Sequence, residues 1–221
     1  MGGDDRFRFR SCRAHMEPVR ELGPKDDFVV QQQVLATDNS KEPTEAAALA
    51  EAREILGYLW PQKSLDPETL GIWAAVHKRL YELEQDPEAL DEAITASEKG
   101  FVLQGDYFNG INLAFLLDTR AHTAESELAR EDHARARSTR RRVAEISKAK
   151  LDSLEPTSDE RYWLIATLEE AAVGLGDDAA AADWHAQAVA AEPADWMLDS
   201  TVEQIDKLRI VLPDVGAGSA A

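Results

Sequence analysis

One spacing constrains this chain more than any other. In LEEAAVGLGDDAAAADWHAQAVAAEP, residues 168–193, Gly176 stands between two helix-forming runs. Ala181 and Ala188 follow, seven apart, and Pro193 closes the segment. A glycine relaxes the turn between two helices, and small side chains on the second helix let the first approach closely. The stretch predicts an antiparallel helix pair hinged at Gly176, with Leu168 on its first helix and Ala181 and Ala188 buried between the two. The spacing returns in DEAITASEKGF, where Ala93 and Gly100 are again seven apart. Self-similarity of this kind marks a helical repeat.

These are the features of a tetratricopeptide unit; the unit between the two departs from the pattern, because its second helix is about twice too long. DDFVVQQQVLAT reads as a short helix opened by Asp26 or Asp27. KEPTEAAALAEAREILGYLW is a second helix, opened by Pro43. DPETLGIWAAVHKRLYEL and DPEALDEAITASEKGFVL follow, each with an Asp-Pro start that suits a first turn. A fifth helix is expected over about 107–119, with Asn109 as its cap. A long one is expected over about 124–154, with no Gly or Pro inside it. Three more fill 158–211, and no strand pattern is visible. The expected fold is an all-α, tetratricopeptide-like helical-repeat solenoid of about nine antiparallel helices. Alternation places the helices near 26–36, 67–84, 107–119, 158–174 and 194–211 along a concave groove. Residues 1–24, polar with Pro18 and Pro24, read as a poorly ordered lead. Residues 25–212 read as the helical domain, and 213–221 as a flexible tail.

Charge excludes some functions. The chain carries 42 acidic against 24 basic residues, a net charge of −18, which repels nucleic acid. No run of about 18 apolar residues is present, so no membrane span is expected. No signal peptide is visible, and a cytoplasmic location is expected. The single cysteine, Cys12, leaves no internal disulfide and no cysteine-rich zinc site. The histidines show no metal-ligand spacing, and no nucleophile elbow, Walker or kinase motif is present. No enzyme activity and no cofactor are expected.

Several phrases together resemble a known family. HKRLYE, ASEKGFVLQGDYFNGINLAFLL, RYWLIATLEEAAVGLGD and ADWMLDSTVEQI are similar to the tetratricopeptide-like TRAF-binding region of apoptosis-signal-regulating MAP kinase kinase kinases and its bacterial relatives. The matching residues are Tyr107, Gly110, Ile111, Asn112, Leu116 and Leu117, with Trp196 near the end and Lys78 in an earlier helix. The resemblance spans roughly residues 28–212. It implies a regulatory module that receives another protein or an attached domain. In the bacterial relatives it implies a module of conflict systems, for which a nucleotide-derived ligand has been proposed.

Seven residues are candidates for binding. Tyr107 and Asn112 belong to the aromatic and Gly-Ile-Asn motif, and Asn112 is expected on a groove-forming helix. Its alternative role is to satisfy a neighbouring backbone. Tyr162 is expected to face the groove, and its neighbour Trp163 the core. Arg137, Arg140 and Arg141 lie within about one turn, a geometry able to hold phosphate or carboxylate. Their alternative is pairing with the surplus acids of neighbouring helices. Lys78, beside Arg79 and Tyr81, offers a basic and aromatic face, or a helix surface whose charged end reaches water. Trp60, Trp73, Trp184 and Trp196 are expected in packing. These residues lead to a non-enzymatic protein-interaction scaffold. The alternatives are a sensor of an anionic, nucleotide-like small molecule using Lys78, Asn112 and the arginines, and a plain structural spacer.

Overall fold

Side-chain caps set where the helices begin. In the computed structural model, which describes residues 26–155 and 160–213, the Asp26 carboxylate accepts from the Phe28 N–H at 3.0 Å and opens α1, Asp27–Ser40. Thr44, rather than Pro43, caps α2, Glu45–Gly57, through Oγ1 and the Ala47 N–H at 3.2 Å. Asp66 caps α3, Pro67–Glu84, with Pro67 in the first turn. Asp86 accepts from the Glu88 N–H at 3.0 Å at the start of α4, Pro87–Gln104. In each case the oxygen satisfies an N–H that the helix itself leaves unpaired.

The second half repeats this logic. Asp106, not Asn109, caps α5, Tyr107–Thr123, accepting from the Asn109 N–H at 2.8 Å. Asn109 is instead buried one turn inside, its amide donating to the other Asp106 oxygen at 3.0 Å. Then come α6, Ser126–Ser153, and α7, Glu160–Leu175. Asp177 caps α8, Asp178–Ala190, and α9 spans Asp195–Val211 without a side-chain cap. Among the described residues there are nine helices and no strand, so the expected all-α helical repeat holds. The lead before residue 26 and the tail after 213 lie outside the described residues.

The chain divides into two units, residues 1–103 and 104–221. In the first, α2 packs on α1 and α3. Their core joins Val34, Leu49, Leu56, Leu70 and Trp73, and Ala89 and Ala96 of α4 complete it. In the second, α5 packs on α6, α6 on α7 and α7 on α8. Leu151, Leu164, Leu168 and Ala188 belong to one of its apolar clusters.

The glycine hinge stands as expected. Gly176 takes φ +76°, which favours a residue without Cβ, and the Asp177 N–H donates to the Ala172 carbonyl at 3.0 Å. The alanines divide. Ala188 is fully buried against the α7 side, whereas Ala181, in the first turn of α8, is only partly covered. Of the two alanines, Ala188 is thus the one sealed where α7 and α8 meet. Ala188→Leu should cost about 1–3 kcal/mol by overpacking, read as a lowered denaturant midpoint. An unchanged midpoint would contradict this packing.

Candidate functional site

The arginine cluster is split by the helix that carries it. α6 turns Ala136, Arg140, Val143, Ser147 and Leu151 inward, at the spacing of a buried stripe. Arg140 therefore enters the protein and is fully buried. Its Nη1 donates to the Asp118 carboxylate of α5, which is 1% exposed. The second Asp118 oxygen meets His133 Nδ1 of α6 at 2.6 Å. Beside this pair a second one joins the same helices the other way round. Asp132 of α6, also fully buried, accepts from Arg120 Nε at 2.8 Å and Nη2 at 2.9 Å. Such a two-pronged contact is the strongest that an arginine and a carboxylate make.

The third wall around Arg140 is α7. An added Cβ on Gly174 would fall 2.1 Å from Arg140 Nε and 2.4 Å from its Cζ. Only glycine leaves room for the guanidinium there. Arg140 Nε and Nη2 find no hydrogen-bond partner. Arg140 is thus sealed among α5, α6 and α7 and presents no face to solvent. It is the one member of the expected binding trio that does not face outward.

Arg137 and Arg141 are exposed, share one face of α6 as expected, and enter no ion pair among the described residues. Arg130 and Lys148 extend that face. The four positions are 7, 4 and 7 apart and fall within about 20° of one line along the helix. All four are exposed, and among the described residues none has an ion-pair partner. The ridge runs about 27 Å, and the acids of the same helix nearest to it are Asp152, about 40° to one side and four residues past Lys148, and Glu127 and Glu145, about 60° to the same side.

The other candidates take separate places. Lys78 is half-buried in the first unit, between buried His77 and Arg79. His77 Nδ1 meets the Trp73 carbonyl at 3.0 Å, and burial lowers its pKa. Arg79 binds Asp38 and approaches Glu45 at 3.8 Å. The remaining candidates lie in the second unit. The Asn112 amide donates to the Phe108 carbonyl of its own helix at 2.9 Å, which is the backbone-satisfying role. The Tyr107 hydroxyl donates to Glu160 at 3.1 Å, and Lys150 lies over its ring at 5.2 Å and 2.5 Å from Glu160. Burial, then the Glu160 charge, raises the Tyr107 pKa, and the hydrogen bond from Lys150 lowers that of Glu160.

Tyr162 and Trp163 exchange their expected roles. Tyr162 is buried beneath α9, with its hydroxyl 2.9 Å from Thr201 Oγ1. Trp163 is only partly buried and stands 5.9 Å from Trp196 of α9. Trp73 is buried and Trp184 packs on the core, as expected. Trp60 and Trp196, however, are 66% and 56% exposed. Trp60 directly follows the turn after α2, with Lys63 Nζ 5.3 Å from its ring, and Trp196 stands in the first turn of α9. Asp118, Asp132 and Gly174 were not singled out from the sequence. The available signal was an acid directly after the apolar Phe115-Leu116-Leu117 run.

The family model described as Tetratricopeptide Repeats-Sensor matches residues 8–117. The chain is a tetratricopeptide-like helical repeat. The match covers α1 to α4 and the Gly-Ile-Asn motif of α5, and ends before Asp118. No curated protein matches the chain. Among the described residues no group of three or more His, Cys, Asp or Glu is placed to hold a metal ion, and no helix is long and apolar enough to cross a membrane. Repeats of this kind serve as sensor or interaction modules.

Because Gly174 touches the guanidinium, Gly174→Ala should destabilise the protein by about 1–3 kcal/mol through overpacking, although alanine favours a helix by about 1 kcal/mol. A denaturant midpoint that rises in this variant would contradict the contact.

Proposed function

We propose that this chain is a non-enzymatic interaction module that docks an acidic protein segment on the outer face of α6. One observation carries the reading. In a chain of net charge −18, Arg130, Arg137, Arg141 and Lys148 form a straight ridge of exposed cations without ion-pair partners among the described residues. The acids of the described residues form no ion pair with it. Charges this exposed act over about one Debye length, roughly 10 Å, so the ridge attracts an acidic segment locally even though the whole protein is anionic. The long, single-file shape fits an extended or helical acidic segment better than a compact phosphate. The resemblance to TRAF-binding regulatory regions is in keeping with this role.

A second reading is supported by the sensor description of the matched family: an anionic, nucleotide-like ligand held in the second unit through Asn112 and the exposed arginines. The inward turn of Arg140 removes one of the groups that reading relies on, and Asn112 already serves its own helix.

The test uses the full chain and a fluorescent oligoglutamate as a minimal acidic partner. The parent should bind it at low salt and lose it as salt rises. Arg137→Glu combined with Arg141→Glu should weaken binding at least tenfold with an unchanged melting curve. Equal binding by the parent and the double variant would overturn the proposal. Saturable binding of a nucleotide that displaces the oligoglutamate would promote the sensor reading.

A further inference from the structure

The spacing of the cationic ridge constrains the backbone of whatever docks on it. Arg130, Arg137, Arg141 and Lys148 are 7, 4 and 7 residues apart, so their steps along the helix axis are about 10.5, 6 and 10.5 Å. A partner must bring acids to one side at steps that run long, short and long.

An extended strand does not meet this condition. At about 3.3 Å per residue its best-placed acids stand about 3, 2 and 3 residues apart, and successive side chains point to opposite faces. Its two middle acids would face Arg137 and Arg141 while its two end acids turned away from Arg130 and Lys148. A polyproline-like segment brings every third residue to one side at an even step of about 9.3 Å, which overshoots the short gap between Arg137 and Arg141. A second α-helix has the pitch of α6, and acids at the same three spacings reproduce the ridge without distortion. The pattern reads the same in both directions, so such a helix fits parallel or antiparallel. At a shallow crossing angle of about 20° the end charges are displaced sideways by only about 5 Å, within reach of long basic side chains.

The surface beside the ridge also suits a helix. Exposed Ala134 and partly buried Ala144 lie about 40° to either side of the line, one in each long gap. Side chains this small let a second backbone approach closely. Asp152, Glu127 and Glu145 all stand on the Ala134 side. The partner's carboxylates therefore lean toward the Ala144 side, away from like charge.

We infer, on the docking role proposed above for α6, that the partner is an α-helix of another protein with acidic residues 7, 4 and 7 apart, one facing each cation of the ridge. A second copy does not supply it. Among the described helices only α6 is long enough to hold the pattern, and it has no acids at those spacings.

The probe is a fluorescent alanine-based peptide of about 25 residues, with four Glu at the inferred spacing and a hydrocarbon staple on its far side to hold the helix. An isomer of equal composition and charge carries the two middle Glu on the opposite face. The full chain should bind the first peptide at least fivefold more tightly, because one exposed ion pair contributes up to roughly fivefold and the isomer loses two. Replacing the two middle Glu by Lys should move the peptide's preference from the parent to the chain carrying Arg137→Glu and Arg141→Glu. Equal binding of the two isomers by the parent would overturn the inference, and that comparison needs no variant. So would failure of the exchanged charges to restore binding to a variant with the parent's melting curve, or dimerisation of the parent that the peptide disperses. Oligoglutamate separates the two levels. If it binds the ridge while the isomers are not told apart, the helical partner alone is overturned. If neither it nor the helices bind, the docking role falls as well.

Discussion

The second unit is organised around a charge with nowhere else to go. Arg140 is fully buried, its carboxylate partner sits on another helix, and the side wall is a glycine on a third. A buried ion pair is a weak source of net stability, because desolvation offsets most of the attraction. Its effect is on register. If α5 slipped by one residue relative to α6, Asp118 would leave Arg140 and an uncompensated charge would be buried. The reciprocal pair of Arg120 with Asp132 imposes the same condition in the opposite sense. Two crossed pairs and one missing side chain at Gly174 thus specify how α5, α6 and α7 meet. Apolar packing alone, with many interchangeable alanines and leucines, specifies this far less sharply.

That arrangement also explains the exposed face of α6. A helix with Arg140 and Asp132 turned inward presents Arg137 and Arg141 to solvent by geometry alone. The acids that would neutralise them in an ordinary charged helix are partly consumed inside, since Asp118 and Asp132 are both buried. The ridge follows from how the hairpin is held together.

Most of the fold was legible in the sequence because its signals are local. Asp-Pro starts, the left-handed glycine at 176 and the long gap without Gly or Pro each act within one or two turns. Ala188 and the continuous α6 followed from the same periodicity. The errors share a cause as well. Asn109 and Asp106 are both good caps, and only the backbone geometry of the turn selects Asp106. Tyr162 and Trp163 are adjacent, so they point in different directions, and which one is covered depends on where α9 lies. The return of α9 onto α5 is a long-range event with no local signature. The inward turn of Arg140 needed Asp118 and Gly174 to be recognised together, although they are 56 residues apart in the sequence. The candidate site was therefore legible as a composition, a cluster of arginines, but not as a geometry.

The cluster is divided: Arg140 is structural, and Arg141, its immediate neighbour, is exposed and without an ion-pair partner among the described residues. Thermal unfolding of Arg140→Ala beside Arg141→Ala tests it most directly. Removing Arg140 leaves the buried Asp118 carboxylate with His133 alone, a loss of about 3–5 kcal/mol, and the melting temperature should fall by roughly 10 °C or more. Arg141→Ala should melt within about 2 °C of the parent, because an exposed side chain without partners contributes little to stability. Equal shifts in the two variants, or a larger one for Arg141→Ala, would contradict the account.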